Sequence, residues 1–293
     1  MIEKIELSSD NYTAQINLLG AELISFLSLN KGREYIWQRD ETWWKRSAPI
    51  LFPFIGVLKD SSYKYKDQNY KMTKHGFARD CKFNVLNKDK SSAILELIQN
   101  EHTKSMYPFK YELNVIFTLN ENTLNVRYEV KNNDEKELPF SIGSHPAFNL
   151  FLKDEEIKHE DYSITFEEAE NSYSLLENDL VNLEKSYTTN IKGDSVILTK
   201  NTFDNDALIF SNVKSTNVVL ECKKINHKVK MAFDKTSFFG VWSPKEAPFV
   251  CLEPWSGIPD TINHNGELEN KSGVILLKPC EKFSTGYTLT AIS

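Results

Sequence analysis

The stretch that decides the fold is YELNVIFTLNENTLNVRYEV, residues 111–130, in which apolar and polar side chains alternate twice over. Apolar residues recur at every second position on both sides of a polar turn, Asn120-Glu121-Asn122. Successive side chains of a β-strand point to opposite faces, so this period places the apolar ones on one face. The stretch therefore predicts an antiparallel β-hairpin with one buried face.

Short runs rich in β-branched and aromatic residues recur along the rest of the chain, separated by turns that carry Asn, Asp, Lys, Gly and Pro. They predict strands at 14–19, 93–98, 162–166, 196–198, 218–222, 229–233, 238–242, 249–252, 274–277 and 287–292. Helical periodicity is confined to short stretches such as 41–46 and 103–107, and the absence of regular strand–helix alternation argues against a doubly wound α/β fold. The pattern predicts an all-β fold, a large antiparallel β-sandwich.

Length and composition narrow the class of protein. No internal repeat or Pro/Gly/Ser linker divides the 293 residues, so we expect one domain over residues 1–293. With 35 Lys+Arg against 41 Asp+Glu, the formal net charge is −6, and no basic run marks a site for nucleic acid. No segment reaches the ~20 apolar residues of a membrane span, and the N-terminus MIEKIELSSDNY lacks a signal-peptide core. We expect a cytoplasmic protein with no membrane partner.

The four cysteines are widely spaced and form no C-x-x-C pair, which argues against a disulfide framework or a zinc site. We expect reduced thiols at Cys81, Cys222, Cys251 and Cys280. The sequence also has no G-x-S-x-G elbow, Walker A loop, dinucleotide glycine fingerprint or H-E-x-x-H pair. The sequence therefore lacks the usual signatures of serine hydrolases, NTPases, nicotinamide enzymes and zinc proteases.

Two histidines stand in segments that could carry chemistry. His75, in TKHGFARD (residues 73–80), precedes a glycine, as in loops whose backbone approaches a ligand, and Arg79 offers a fixed fork of donors. An imidazole packed on Phe77 explains His75 as well. His145, in IGSHPAFNL (142–150), is held extended by Pro146, which suits a strand end that aims an imidazole. A structural histidine is the open alternative there.

Carboxyl groups stand at two further sites. In FDNDALIF (203–210), Asp204 and Asp206 share a face if extended and could receive sugar hydroxyls, but a turn or Asx cap explains them as well and the sequence does not separate them. Glu253 ends the apolar run of FVCLEPWSG (249–257), where burial should raise the pKa of its carboxyl group toward the range of a general base. Trp255 and Trp242 add flat surfaces that could stack on sugar rings or simply fill the core.

Taken in order, four motifs resemble those of the aldose 1-epimerase (galactose mutarotase) family, most closely its LacX-like branch. They are His75-Gly-Phe-Ala-Arg79, Ser144-His145-Pro-Ala-Phe-Asn149, Asn205-Asp206-Ala-Leu and Leu252-Glu253-Pro-Trp255. The resemblance extends from about Ile5 to the C-terminus and includes NLLGAEL (17–23) and PILFP (49–53). It implies a β-sandwich of the galactose mutarotase type, with a sugar bound in a cleft on one concave sheet.

The resemblance also implies an activity, the interconversion of α and β anomers of a hexose by acid–base ring opening. Glu253 would take the proton of the C1 hydroxyl and His145 would protonate the ring oxygen, while His75 and Asp206 would hold sugar hydroxyls. Trp255 would contribute to the sugar site. No metal, nucleotide, other cofactor or covalent intermediate is expected, and the protein is expected to be a monomer or a homodimer.

Two departures bear on the substrate. Many family members carry a sugar-contacting arginine near GVLK (56–59), where this chain has Val57, and Lys59 is the nearest cation that could bind the substrate in its place. An arginine at the position of Arg79 also occurs in relatives that act on hexose 6-phosphates, so a phosphorylated sugar is one alternative. A non-catalytic sugar-binding protein is a second, and a glycoside hydrolase with Asp206 as its other carboxylate is a third.

Overall fold

The computed structural model describes residues 3–152 and 156–292, so residues 1–2, 153–155 and 293 of the predicted domain lie outside the described part. Strands dominate both described ranges. In chain order they are β1 Lys4–Ser8, β2 Tyr12–Asn17, β3 Glu22–Ser28, β4 Arg33–Glu34, β5 Ile50–Leu51, β6 Ser62–Tyr65, β7 Gln68–Lys71, β8 Asn84–Lys88, β9 Ser92–Ile98, β10 Tyr111–Asn120, β11 Thr123–Asn132, β12 Leu138–Phe140, β13 Ile142–Ser144, β14 Ala147–Asn149, β15 Tyr162–Phe166, β16 Leu176–Glu177, β17 Leu180–Val181, β18 Ile191–Lys192, β19 Ser195–Ile197, β20 Leu208–Ser211, β21 Asn217–Cys222, β22 His227–Phe233, β23 Phe238–Trp242, β24 Phe249–Ser256, β25 Ile275–Leu277 and β26 Lys282–Ile292.

Helices are short. In the described part of the chain one α-helix, α1, spans Glu101–Met106 and overlaps the helical stretch expected at 103–107. Single 3₁₀ turns lie at Lys59–Ser61, Ala78–Asp80, His159–Asp161 and Leu268–Asn270. Of the stretch 41–46 that could form helical turns, residues 41–43 form one turn, in which the backbone N–H groups of Trp43 and Trp44 both donate to the Asp40 carbonyl, and no helix continues from it. Within the described ranges, no helix is long and apolar enough to cross a membrane.

The predicted hairpin at 111–130 is confirmed. Strands β10 and β11 pair antiparallel from Tyr111 opposite Asn132 to Asn120 opposite Thr123. Every second residue of β10 from Tyr111 to Leu119 is buried, as the alternation predicts. The hairpin belongs to a ten-stranded sheet in the order β18-β19-β15-β21-β22-β26-β11-β10-β9-β8.

A second, six-stranded sheet packs across this one. Its order is β20-β23-β24-β13-β5, with β14 also paired to β24. Aromatic side chains join the two sheets: the ring of Phe239 lies 5.5 Å from that of Phe166 and 5.0 Å from that of Phe233, and Phe52 lies 5.2 Å from Tyr111. All paired strands within the described ranges run antiparallel. The predicted antiparallel β-sandwich is confirmed.

Strand β24 positions the site. It lies inside the six-stranded sheet, and its side chains alternate between the two faces. Val250 and Leu252 enter the core between the sheets, whereas Cys251, Glu253 and Trp255 lie on the opposite face. We call that opposite face the outer face of the six-stranded sheet, and it carries the candidate site.

Candidate active site

One row of residues crosses the outer face of the six-stranded sheet. Strand pairing puts Gly240 of β23 opposite Glu253 of β24. On the other side of β24, Gly143 lies opposite Trp255 and Ala147 opposite Cys251. This register, continued through the break between β13 and β14, places His145 opposite Glu253. The extended conformation that Pro146 imposes thus brings the imidazole across the strand to the carboxyl group.

His145 and Glu253 face each other at close range. The Nε2 atom of His145 lies 3.3 Å from Oε2 of Glu253, and both residues are buried. The two groups are not aligned as a hydrogen bond, and Glu253 Oε2 and His145 Nδ1 have no hydrogen-bond partner among the described residues. The rings of Trp44 and Trp242 enclose the imidazole, at centroid distances of 4.9 and 5.5 Å. The pair is therefore held by packing, with hydrogen-bonding capacity left for a ligand.

Burial shifts the pKa values of the pair in opposite directions. Desolvation raises the pKa of Glu253 well above its usual 4.5, and the nearby Asp206 carboxylate adds to the rise. Desolvation lowers the pKa of His145 to about 3, and the charges of Arg79 and Lys74 lower it further. A group that resists losing a proton thus faces a group that resists gaining one. Together they suit the transfer of one proton.

A tight loop places His75 beside His145 and Glu253. Its ring lies edge-on to that of His145, with centroids 5.5 Å apart. The backbone N–H of Gly56 donates to Nδ1 of His75 at 3.0 Å, and the His75 N–H donates to the Gly56 carbonyl at 2.6 Å. Because a backbone amide only donates, Nδ1 is unprotonated and the ring proton lies on Nε2. Desolvation lowers the pKa of His75 well below 6.5, so the ring stays a neutral donor.

The pair opens into a cavity of about 290 Å³. Its walls come from the outer face, the loops at 56–57 and 74–79, the β16–β17 hairpin and the segment 206–207. Trp255 lies along one wall, over two glycines. A Cβ atom at Gly143 or at Gly240 would come within 2.6 Å of the indole, so these positions without side chains let the ring lie flat on the sheet.

The structure separates the two aspartates that the sequence left open. Asp206 lines the cavity, and its Oδ1 accepts the N–H of Ala207 at 2.8 Å. Asp204 lies outside the cavity lining and forms an ion pair with Lys245 at 3.0 Å. Of the two, Asp206 is placed to meet a ligand.

Among the described residues, two cations line the cavity, Lys74 and Arg79. Lys74 forms an ion pair with Asp179 at 2.9 Å. The Nη2 group of Arg79 donates to the Lys74 carbonyl at 2.6 Å, while its Nε lies 3.7 Å from the Asp80 carboxylate. The Asp179 carboxylate reduces the positive charge that Lys74 offers to a ligand, whereas the buried Nε of Arg79 has no hydrogen-bond partner among the described residues.

Lys59 is not brought into the cavity. Its ammonium group donates to the carbonyls of Ile262 and His264, at 3.1 and 3.3 Å. Its neighbour Val57 lines the cavity with an apolar side chain, so the 56–59 wall presents no cation.

The sequence did not predict some of the residues that line the cavity. Trp44 comes from the turn after Asp40, and Leu176 and Asp179 come from the β16–β17 hairpin. Asn178 and Asp179 form the tip of that hairpin, both with positive φ. An Asn-Asp pair between short apolar runs is a recognisable hairpin signal. Nothing in the local sequence, however, indicates that the tip reaches Lys74.

The pair also belongs to the one group of potential metal ligands found among the described residues. Donor atoms of His145, Cys251 and Glu253 lie within 4.8 Å of one another. The Cys251 thiol packs with Trp37 and Phe249, and burial raises its pKa well above the usual value. Metal binding needs the thiolate, which this apolar setting disfavours. We therefore assign no metal to the group.

The chain is similar to members of one protein family along nearly its whole length. The family model for aldose 1-epimerase matches residues 3–285. The chromosomal and plasmid LacX proteins of Lactococcus lactis subsp. lactis are each 32% identical over 299 residues, covering 99% of either chain.

Two crystal structures share the whole fold. A galactose mutarotase related enzyme from Lactobacillus acidophilus has a TM-score of 0.94 at 32% identity, over 99% of this chain and 98% of that one. A galactose mutarotase-like protein from Lactobacillus casei has a TM-score of 0.93 at 30% identity, over 99% of this chain and 100% of that one. The sandwich is thus of the galactose mutarotase type, and the chain belongs to the aldose 1-epimerase family.

Proposed function

We propose that this protein is a mutarotase that interconverts the α and β anomers of a neutral aldohexose, with Glu253 as base and His145 as acid. One observation carries the proposal. In a member of the aldose 1-epimerase family, a buried carboxyl group and a buried imidazole face each other at 3.3 Å beside a cavity of about 290 Å³. Ring opening of a hemiacetal needs such a pair, because one proton must leave the C1 hydroxyl while another reaches the ring oxygen.

Glu253 and His145 together accept and donate every proton that moves in the reaction. Ionised Glu253 takes the C1 hydroxyl proton as protonated His145 gives one to the ring oxygen, and the C1–ring oxygen bond breaks to give the open-chain aldehyde. After rotation about the C1–C2 bond, the ring hydroxyl attacks the other aldehyde face. His145 then takes back the ring-oxygen proton, and Glu253 returns its proton to the new C1 hydroxyl. The pair carries one proton throughout, so no net acid or base is consumed.

The pKa shifts place the proton of the resting pair on Glu253, so the catalytic arrangement, ionised Glu253 beside protonated His145, is the less populated state. A raised pKa makes ionised Glu253 a stronger base, and a lowered pKa makes protonated His145 a stronger acid. Burial thus favours moving the proton from His145 to Glu253, which is the net proton movement of ring opening.

Neighbouring residues supply the sugar contacts in this proposal. His75 offers its Nε2–H as a donor to the ring oxygen or a hydroxyl, because Gly56 occupies Nδ1. The Asp206 carboxylate, which also lines the cavity, accepts hydrogen bonds from sugar hydroxyls. Trp255 offers its indole to the apolar side of the ring.

Charge favours a neutral sugar over a hexose phosphate. A phosphate group needs several free donors, whereas Lys74 is paired with Asp179 and Arg79, one of whose N–H groups donates to a backbone carbonyl, is the one other cation among the described lining residues. The carboxyl groups of Asp179 and Asp206 also line the cavity and would repel a phosphate.

The direct test is anomer equilibration. We expect the protein to speed the approach to equilibrium of freshly dissolved α-glucose or α-galactose, measured by polarimetry or by the C1 proton signals in NMR. A positioned acid or base typically contributes ~10²–10⁴-fold. Glucose 6-phosphate and galactose 6-phosphate, run in parallel, should be poorer substrates. If no neutral aldose and no hexose phosphate is equilibrated faster than in buffer, the mutarotase proposal fails.

A second candidate is a sugar-binding protein that catalyses little. It is favoured by Val57, which lines the cavity where the resemblance implies a sugar-contacting arginine. In that case wild-type protein would bind an aldose, by calorimetry, without speeding its equilibration, and Glu253→Gln would bind it equally well. Rapid equilibration by wild type would exclude this candidate.

The pH dependence offers an independent prediction. The pair works with one proton, and this state extends from a low pKa, about 3 for His145, to the raised pKa of Glu253, well above 4.5. We therefore expect kcat/KM, corrected for uncatalysed mutarotation, to stay nearly constant from about pH 5 up to the raised pKa of Glu253. With unshifted groups the one-proton state would begin only near pH 4.5, so an acid limb centred near pH 4.5 instead of near pH 3 would contradict the assignment.

A further inference from the structure

Three ionisable side chains form a buried cluster behind one wall of the cavity. They are Asp260, His264 and Lys271, and we call them the Asp260 cluster. None of the three is among the described residues that line the cavity, whereas Pro259, the neighbour of Asp260 in sequence, is one of them. The proposed reaction does not use these groups. Because burying charge is costly, their presence calls for a role.

Hydrogen-bond partners fix the protons of His264. Its Nδ1 lies 2.8 Å from the Asp260 carboxyl group, and its Nε2 lies 2.9 Å from the carbonyl oxygen of Glu267. A carbonyl oxygen only accepts, so Nε2 carries a proton. The short contact at Nδ1 then needs a further proton, either on the ring or on the carboxyl group.

The surroundings of Asp260 favour the ionised carboxylate. The backbone N–H of Lys59 donates to its Oδ2 at 3.0 Å, and the Lys271 ammonium group lies 3.9 Å from its Oδ1. Burial lowers the pKa of Lys271 to about 8, so this group is still charged at neutral pH. A donor on one oxygen and a cation beside the other stabilise the carboxylate, which leaves the further proton on His264 as an imidazolium.

Asp260 holds the loop that contains Gly56. Its backbone N–H donates to the Val57 carbonyl at 3.0 Å, while its carboxylate accepts the Lys59 N–H. The loop also packs closely on Pro259, because a Cβ atom at Gly56 would lie 2.4 Å from the Pro259 Cβ. Asp260 therefore fixes the position of this loop from behind the cavity wall.

The loop in turn sets the direction and the tautomer of His75. The Gly56 N–H donates to Nδ1 of His75 at 3.0 Å, and the Gly56 carbonyl accepts the His75 N–H at 2.6 Å. A displaced loop would release Nδ1 and let the ring proton move to it. Nε2 would then lose the N–H that the proposed function gives to the sugar.

We propose that Asp260 is a positioning residue for His75, with its carboxylate held between the imidazolium of His264 and the ammonium of Lys271. The effect on anomerisation rests on the proposed function, whereas the protons of His264 and His75 can be measured without substrate. Removing the carboxylate would leave two cations buried without a counter-charge, so we expect the loop to loosen.

The first test is NMR of the ring nitrogens in protein labelled with ¹⁵N-histidine. Two-bond ¹H–¹⁵N correlations distinguish protonated from unprotonated nitrogens, and the signals are assigned by their loss in His75→Gln and His264→Gln. We expect wild-type His264 at neutral pH to carry a proton on both nitrogens and His75 to carry one, on Nε2. In Asp260→Ala, His264 should keep a single ring proton and His75 should show a mixture of its two neutral tautomers.

A double-mutant cycle tests whether Asp260 acts through His75. Asp260→Ala should lower kcat/KM for glucose on the order of 10–10²-fold, because a shift of about 1 Å in a positioned group can cost that much. In a His75→Gln background the same substitution should change kcat/KM by less than about twofold. A purely structural role for Asp260 would lower kcat/KM by the same factor in both backgrounds.

Glu170→Ala is the matched control. Glu170 is also buried, and its carboxyl group accepts the backbone N–H groups of Lys214 and Ser215 at 2.8 and 3.0 Å, but it lies outside the described lining of the cavity. This variant should lose stability, as Asp260→Ala does, while keeping the wild-type His75 signals and kcat/KM.

Asp260→Asn replaces Asp260→Ala if the alanine variant does not fold. Its amide oxygen can still accept the Lys59 N–H, but the amide carries no charge to pair with the imidazolium. It should give His264 a single ring proton and change the His75 signals and kcat/KM in the same direction as alanine, by a smaller factor.

The NMR and kinetic measurements separate this inference from the proposed function. The predicted histidine protons and their loss in the Asp260 variants support the positioning role even if wild type speeds no anomerisation, an outcome that would sink only the mutarotase assignment. An unprotonated ring nitrogen on wild-type His264, a His75 tautomer unchanged in the Asp260 variants, or equal rate losses with and without His75 would overturn the inference.

Discussion

Glu253→Gln is expected to abolish most anomerisation while making the protein more stable in neutral and alkaline solution. The substitution keeps the shape of the side chain and removes the base that takes the C1 hydroxyl proton. Loss of one positioned acid–base group typically costs ~10²–10⁴-fold in rate. The measurement is kcat/KM for glucose by polarimetry, beside thermal unfolding of the same samples across pH.

The gain in stability follows from the direction of the pKa shift. The pKa of Glu253 is raised in the folded protein, so folding favours the protonated carboxyl group. Its contribution to the free energy of unfolding is fully present below the unfolded-state pKa and is lost as the pH rises through the folded-state pKa. Glutamine does not ionise. The stability difference between Glu253→Gln and wild type should therefore grow with pH from about 4.3 upward and level off above the folded-state pKa.

Glu34→Gln is the matched control. Burial also raises the pKa of Glu34, but this carboxyl group lies outside the cavity lining and accepts hydrogen bonds from the backbone N–H groups of Phe26 and Ile36, at 2.8 and 3.0 Å. The control should keep wild-type kcat/KM. If Glu253→Gln also kept it, Glu253 would not be the base. If Glu253→Gln lost stability as the pH rose, the carboxyl group would be stabilised in its ionised form and the direction of the shift would be wrong.

The fold was predictable because its signal is local. Residues 111–130 alternate with a period of two, and the structure pairs them as β10 and β11. The shortest strands gave no such signal. Strand β13, for example, has three residues and no exposed position, so no alternation separates it from a buried loop.

The chemistry of the site was partly predictable as well. Pro146 and the apolar run before Glu253 mark two side chains as constrained or desolvated, and the sheet register then brings them together. Lys59 shows the limit of such reasoning. Its position beside Val57 suggested a cation in the cavity, but the carbonyls of Ile262 and His264, some 200 residues away in sequence, hold the ammonium group elsewhere. Contacts at that separation leave no local pattern.

Gly76→Ala is expected to damage stability and activity together. Gly76 has a φ of +73°, and a Cβ atom there would lie 2.1 Å from the carbonyl oxygen of Phe52. That oxygen accepts the N–H groups of Phe77 and Ala78, at 3.0 and 3.2 Å, so it cannot retreat without loss of both bonds. The left-handed conformation costs roughly 1–2 kcal/mol for alanine, and overpacking adds about 1–3 kcal/mol. We expect a loss of about 2–5 kcal/mol in the free energy of unfolding, measured by denaturant titration.

Gly32→Ala separates the two parts of this cost. Gly32 also has a positive φ, +56°, but a Cβ atom there would meet nothing within 4 Å, so only the conformational part remains. It should cost at most roughly 1–2 kcal/mol in the free energy of unfolding and leave kcat/KM unchanged.

In Gly76→Ala the displaced loop also carries His75, and a shift of about 1 Å in a positioning group can cost on the order of 10²-fold in rate. Equal stability losses in the two variants would mean that the loop yields to the added methyl group. Full activity in Gly76→Ala would then show that the proposed sugar contact of His75 does not depend on the close approach of Gly76 to Phe52.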